Sequence, residues 1–340
     1  MNEQYHYIET ITQVPEKIAR PLWSVMIPTY NCANYLRETL SSVLAQDPGT
    51  DVMQIEVVDD HSTQDDPEAV VRELAGDRVS FYRQPENVGH VRNFTTCLQR
   101  SRGKLIHLLH GDDCVREGFY RKMQQTFDTQ PQIGAAFCRH IFMDEIGHWQ
   151  YLSDILQPQS GEIDNWLEKI VSKQYIQAPS IVVQREVYEK LGSFDNRFHF
   201  YYEDWEMWVR IATRYPVWYE VEPLAIYRIH SASNTGHTVR TGKNMQEIRC
   251  GLEIVQSYLP KYLPQSAVDR SIDANKKNSA IFAIGTAHNM LMIGDLNAAI
   301  AQVQEAFKCN ISPKIIITLF YFIAKAGLKK SKSIYYSQIF

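Results

Sequence analysis

The sequence has no pair of cysteines two residues apart. Its six cysteines, Cys32, Cys97, Cys114, Cys138, Cys250 and Cys309, keep no regular spacing. That argues against a zinc site and a disulfide framework, and fits a reducing compartment. Neither sign of charge is in large excess. The 35 basic and 39 acidic residues give a net charge of −4, so nothing global points to nucleic acid. No apolar run reaches the ~18 residues of a membrane span. The N-terminal MNEQYHYIET lacks a basic region followed by an apolar core, so it does not read as a secretory signal. Two phosphate-binding fingerprints are also missing: no GxGxxG follows the first apolar strand, and there is no GxxxxGK followed by Ser or Thr.

What is present is ordinary globular usage. The 340 residues are 44% hydrophobic and 22% charged, enough for one large or two ordinary domains. Residues 1–22 read as a polar leader with a short helix as an option. Trp23 to Ile27 is the first strong strand, and Pro28 is expected to end its pairing. Asn34 to Gln46 carries Leu36, Leu40, Val43 and Leu44 at helical spacing. Ile55 to Val58 is a second strand, ending in Asp59 and Asp60. Val79 to Arg83 is a third, and a helix is expected from His90 to Arg102.

The fourth strand, Lys104 to Leu109, runs straight into His110, Gly111, Asp112 and Asp113. Two adjacent carboxylates at the mouth of a buried strand repel each other, and burial disfavours both charges. A divalent cation relieves this, and oxygen ligands select Mg²⁺ or Mn²⁺. The alternative is that both acids cap the following helix.

Strand–helix alternation with near-continuous apolar strands predicts a mostly parallel, Rossmann-like α/β sheet covered by helices. Ligands of such sheets bind beyond the strand C-termini. Thr29, Asp60, Asp112 and Asp113 all fall there, delivered by three separate strands.

Six segments then carry a family resemblance: SVMIPTYN (Ser24–Asn31), VVDDHSTQD (Val57–Asp65), ENVGHVRNF (Glu86–Phe94), GKLIHLLHGDD (Gly103–Asp113), FYYEDWEMWVR (Phe200–Arg210) and YRIHSASNT (Tyr227–Thr235). In this order they resemble a family 2 glycosyltransferase of the GT-A fold, inverting and of the bacterial polysaccharide type. The resemblance implies that Thr29 and Asp60 hold the base of a nucleotide, that Pro28 and Tyr30 belong to the nucleotide site and that Asp112 contacts the ribose. Asp113 would ligate Mn²⁺ or Mg²⁺, and Asp204 would be the catalytic base. His230 is placed near the diphosphate, as a second metal ligand or a phosphate donor. Members often carry a further Asp where this chain has His110.

His90 and Arg92 are phosphate candidates by charge and position. Trp205, Trp208, Val209 and Ala212 share one face, so a helix begins near Glu203. Asp204 lies in its first turn, where the helix dipole favours a carboxylate and lowers its pKa. Glu203 and Trp205 are acceptor-binding candidates, although Trp205 reads more readily as core.

The domains expected are a leader (1–22), a glycosyltransferase domain (23–240) and a helical C-terminal domain (241–340). Val217 to Val221 and Leu224 to Ile229 read as two strands, and Ser231 to Gly242 as a lid or a linker. GDLNAAIAQVQEAFKCNISP resembles half of a tetratricopeptide-type hairpin. From Ala306 to Phe340 there is no Asp or Glu, and the apolar IIITLFYFIA is followed by Lys325, Lys329, Lys330 and Lys332. That suits an anionic membrane surface, or else a helix packed on the C-terminal bundle.

The function expected is metal-dependent, inverting transfer of a sugar from a nucleotide-diphosphate donor to a saccharide or lipid-linked saccharide. The location expected is the cytoplasm, with peripheral contact at the inner face of the membrane as an option. The alternatives are a non-catalytic nucleotide-sugar-binding scaffold and a transferase to polyprenyl phosphate.

Overall fold

The structure, a computed structural model, describes residues 7–15 and 17–324. The chain divides into two compact units. The first takes the residues up to Leu167 with Tyr175–His199 and Glu203–His230; the second takes Glu168–Gln174, Phe200–Tyr202 and the chain from Ser231 on.

The first unit opens with β1 (Trp23–Thr29), α1 (Ala33–Leu44), β2 (Met53–Asp59), α2 (Pro67–Ala75), β3 (Ser80–Arg83), α3 (His90–Arg100) and β4 (Leu105–Leu108). The four strands lie side by side and parallel in the order β3, β2, β1, β4. Every residue of β1, β2 and β4 is buried, as a sheet covered on both faces requires. Leu36, Leu40 and Val43 of α1 and Val70 and Val71 of α2 join Val25, Ile55 and Val57 in one core cluster.

β5 (Cys114–Val115), α4 (Phe119–Thr129), β6 (Ala135–Met143), β7 (Trp149–Leu152), β8 (Gly161–Glu162), α5 (Trp166–Ser172), β9 (Ile181–Gln184), α6 (Arg185–Leu191), α7 (Glu203–Ala212) and β10 (Val217–Arg228) follow. β9 pairs antiparallel with both β4 and β6, while β6 and β10 are parallel, so the sheet is mixed. β5 pairs antiparallel with β10, through Cys114 and Ile226. That pairing carries the end of β10 to the turn after β4.

Three local expectations are corrected. Pro28 does not end β1, which continues to Thr29 in register with Asp59. The carbonyl of Pro28 accepts from Gly111 N–H on the β4 side, while Thr29 serves β2 by accepting from Asp60 N–H. The absent N–H of Pro28 therefore falls where the β4 ladder has already ended at Met26. The two strands expected after Tyr215 are one, β10, whose register shifts around Pro223 absorb the irregularity. The described leader residues form no helix. Ile8 bridges Asp195, Glu9 O accepts from Ser193 N–H, and Ile11 is buried.

The second unit is helical: most of α5, then α8 (Asn234–Thr241), α9 (Lys243–Tyr258), α10 (Gln265–Met292), α11 (Leu296–Cys309) and a helix over 313–324. The Ser231 to Gly242 segment is mostly α8, capped by the Ser233 side chain and closed by Gly242 at φ +74°. Gly294, at φ +87°, turns α10 into α11, and Asp295 caps α11 by accepting from Ala298 N–H. Ala298, Ala299 and Ala306 are buried, so the small side chains let the helices approach closely. Lys325, Lys329, Lys330 and Lys332 lie outside the described residues.

Candidate active site

Two left-handed turns shape the sheet rim at the ends of β1 and β2. Asn31 (φ 50°) and His61 (φ 63°) carry non-glycine side chains in a conformation that needs local support. Asn31 supplies it: its Oδ1 accepts from Thr63 N–H and Gln64 N–H, both at 3.0 Å. Asp59 is wholly buried and accepts from Ser62 N–H and Arg83 Nε, so it secures the turn rather than facing the cleft.

Asp60 is buried, and its two carboxylate oxygens accept from Val88 N–H (2.8 Å) and Gly89 N–H (3.0 Å). It therefore pins the loop that leads into α3. Burial pushes its pKa up, against the pull of those two N–H groups. Thr29 is buried with its hydroxyl 2.8 Å from Cys32 Sγ, whereas Tyr30 is exposed. Gly111 lies against Thr29: a Cβ there would sit 2.9 Å from Thr29 Oγ1 and 3.0 Å from Cys32 Sγ.

Next to this, the turn after β4 gathers His110, Asp112 and Asp113, whose donor atoms lie within 4.8 Å of one another. Asp113 is 1% exposed. Its Oδ1 accepts from Arg228 N–H at 2.9 Å, but its Oδ2 is buried with no hydrogen-bond partner among the described residues. Burial, then the neighbouring charge of Asp112, pushes the Asp113 pKa well up. Asp112 is moved the other way: burial raises it, but the hydrogen bond from His230 and the charges of His110 and His230 outweigh that. One carboxylate pushed up beside one held down, with an orphaned oxygen between them and His110, is a donor set that fits a small divalent cation.

His230 lies against this cluster, at Asp112. Its Nε2 is hydrogen-bonded to Asp112 Oδ2 at 2.9 Å, so it orients Asp112, and the clustered nitrogen donor is that of His110. Arg228 is the residue the sequence reading left without a function. It is buried, its Nε donates to Asp112 O at 2.9 Å, its Nη2 to Glu38 Oε2 at 2.6 Å, and it stacks over Tyr35. Its place in YRIH, two residues before His230, was the available signal.

The N-termini of α3 and α7 complete the site. His90 Nε2 is 3.3 Å from Glu203 Oε1. Phe94, one turn on, packs edge-on against His90 and stacks on His110 with ring centroids 5.0 Å apart. Asp60, His90, Glu203 and His110 thus form one linked set, with Asp204 next to Glu203. Arg92 is exposed on the first turn of α3.

In the first turn of α7, Glu203, Trp205 and Glu206 are buried and only Asp204 keeps part of its surface open. Trp205 is 0% exposed, which corrects the acceptor-platform option: neither ring face is available, and the ring is core. The carboxylate of Glu203 is likewise buried and lies against His90. The pKa expected for Asp204 is also reversed. Burial, then the charge of Glu203, pushes it up to about 8, and the helix N-terminus does not offset them.

Known proteins resemble this chain in sequence and in fold. The family model described as glycosyl transferase family 2 matches residues 24–215, more than half of the chain. An uncharacterised protein of Mycobacterium tuberculosis is 28% identical over 250 residues, covering 67% of this chain and 73% of its own length. An uncharacterised glycosyltransferase of Rickettsia prowazekii is 25% identical over 241 residues, covering 69% and 73%. Among solved structures, TarS 1-349 from S. aureus in complex with UDP-GlcNAc has a TM-score of 0.61 at 13% identity, covering 89% of this chain and 88% of that one. The mannosyltransferase PcManGT from Pyrobaculum calidifontis, in complex with GDP-Man and Mn²⁺, has a TM-score of 0.55 at 19% identity, covering 94% and 90%. These neighbours share the fold, the GT-A architecture with a helical C-terminal region. The chain belongs to glycosyl transferase family 2 and is a glycosyltransferase.

Proposed function

We propose that the protein transfers a sugar, with inversion, from a nucleotide-diphosphate donor to a hydroxyl of a saccharide or lipid-linked saccharide. One observation carries this reading: the buried oxygen of Asp113, without a partner among the described residues, and the half-buried Asp204 belong to one linked set of side chains at the sheet rim.

The nucleotide lies over the ends of β1, β2 and β4. Pro28, Thr29 and Tyr30 border the base, Asp60 keeps lone pairs beyond those used on the loop, and Asp112 reaches the ribose. His90 and Arg92 lie on the phosphate side at the start of α3, where a helix N-terminus favours anions. Asp113 and Asp112 would hold Mn²⁺ or Mg²⁺, with His230 fixing Asp112. Such an ion, when bound, offsets the charge that builds on a leaving diphosphate.

Asp204 takes the proton of the acceptor hydroxyl as that oxygen attacks the anomeric carbon. A base works best with a pKa near the operating pH, and a carboxyl pushed up to about 8 is a far stronger base than an exposed one. Glu203, held charged by His90 against the effect of its own burial, raises the pKa of Asp204 through its charge. Glu203 and Trp205 do not touch the acceptor.

No helix among the described residues is long and apolar enough to cross a membrane. The helix over 313–324 exposes Ile316, Ile317, Phe320 and Ile323 beside Lys314, in a stretch of sequence without acids. We place this face on an anionic membrane at its cytoplasmic side, where a lipid-linked acceptor would be found.

The test is a panel of nucleotide sugars screened by thermal stabilisation with Mn²⁺, followed by NMR of the transferred sugar. A donor that stabilises the protein and is turned over with inverted anomeric configuration is expected. A product with retained configuration, or nucleotide binding unaffected by EDTA with no turnover, overturns the reading.

A further inference from the structure

We infer that His110 is a direct nitrogen ligand of the metal and tilts this site toward Mn²⁺ and away from Mg²⁺. The inference rests on the metal-dependent reading above and adds the third donor and its consequence.

The geometry singles out His110. Its Nδ1 is 3.9 Å from Asp113 Oδ2. That is too long for a hydrogen bond, so the two groups do not satisfy each other. Two ligands each about 2.1 Å from one ion can be at most about 4.2 Å apart, so this separation is within reach of a single metal. Neither ring nitrogen of His110 has a hydrogen-bond partner among the described residues, and Nε2 is buried. The ring is not free to swing away, because it stacks on Phe94, which is itself buried, at an interplanar angle of 20°. Asp113 presents its orphaned oxygen to the same spot from a side chain fixed by Arg228 N–H. His230, the other candidate nitrogen, is engaged with Asp112.

The consequence is selectivity. Mg²⁺ takes oxygen ligands and keeps several waters, whereas imidazole is a borderline donor that transition ions accept. A site of two carboxylates alone has no such bias. Replacing a third oxygen by imidazole shifts the balance toward the transition ion.

The experiment uses the full chain with Mn²⁺ alone, then with UDP and with GDP. Free Mn²⁺ is counted from its six-line electron paramagnetic resonance signal, and pulsed measurements on the bound ion detect nitrogen within its coordination shell. The wild type is expected to show nitrogen coupling, lost in His110→Asn and kept in His230→Gln. His110→Asn is expected to weaken Mn²⁺ by about tenfold and Mg²⁺ by less, and His110→Asp to raise Mg²⁺ competition against Mn²⁺. Coupling that survives in His110→Asn, or disappears in His230→Gln, overturns the assignment. Bound Mn²⁺ without nitrogen coupling in the wild type also overturns it, while leaving the metal-dependent reading intact. No bound Mn²⁺ under any of the three conditions removes that reading as well. If His110→Asn fails to fold, the wild type and His230→Gln still decide the outcome.

Discussion

The two units differ at the surfaces assigned to function. In the first, charged and polar groups are buried and held: Asp59, Asp60, Asp113, Glu203 and Arg228 are all inside, each with named partners. In the second, large apolar groups are left outside. Ile317 is 67% exposed and Phe320 65%, and an apolar cavity of about 240 Å³ is lined by Ile284, Leu291, Ile300 and Phe322. Buried polar groups tolerate burial only with fixed partners, which makes them precise. Exposed apolar patches ask for a surface to cover them and require no precision. The first unit carries the groups assigned to chemistry and the second the face proposed for a membrane, and substitutions should therefore fail differently in each.

The sharpest way to break this contrast is Asp204→Asn. It removes the proton acceptor and keeps the shape, so transfer should fall about 10³-fold, with donor affinity by calorimetry unchanged. A variant that keeps normal turnover would place the base elsewhere. Arg228→Met comes next. The pair with Glu38 contributes little, because Glu38 is more than half exposed. The loss comes from Asp112 O, which gives up its guanidinium donor. Thermal unfolding should show a loss of about 2 kcal/mol.

Glu203→Gln tests the coupling between neighbouring acids. The base must be deprotonated, so the wild-type rate should rise with pH and level off above about 8. Removing the charge of Glu203 removes the second cause of that raised value, after burial. The midpoint should then move toward acid by about one pH unit, giving roughly tenfold more deprotonated base well below it. An unmoved pH–rate profile would show that burial alone sets the base.

Much of this was legible in the sequence. Near-continuous apolar strands specified a covered parallel sheet, and the polar ends of three strands marked the rim. Six ordered segments specified the family. What stayed illegible depended on contacts remote in sequence. Two histidines, His110 and His230, could each have been the nitrogen beside Asp113. Only the antiparallel pairing of β5 with β10 engages His230 with Asp112, 118 residues away, and leaves His110 in the cluster. The helical stripe of Trp205 and Trp208 already favoured core, and burial resolves it. The pKa of Asp204 was misjudged because the dipole term is visible in a sequence and burial is not. Pro28 misled because a parallel strand uses its two edges alternately, and which edge lacks a partner is a tertiary fact.

The smallest effect is expected at Lys314, and it sharpens the contrast from the other side. Lys314 is exposed at the start of the helix over 313–324, next to the outward Ile316 and Ile317. Near an anionic surface one lysine contributes about 1 kcal/mol, so Lys314→Gln should weaken binding to phosphatidylserine-containing vesicles by about fivefold. Turnover of a soluble acceptor should not change, because every group assigned to the chemistry lies in the first unit. Salt should weaken the wild type more than the variant, since the lost interaction is screened within about 10 Å at 0.1 M. Equal binding by both proteins would favour the other option, in which this helix packs within the bundle and its charge serves solubility. A drop in soluble turnover would contradict the separation of chemistry from adhesion.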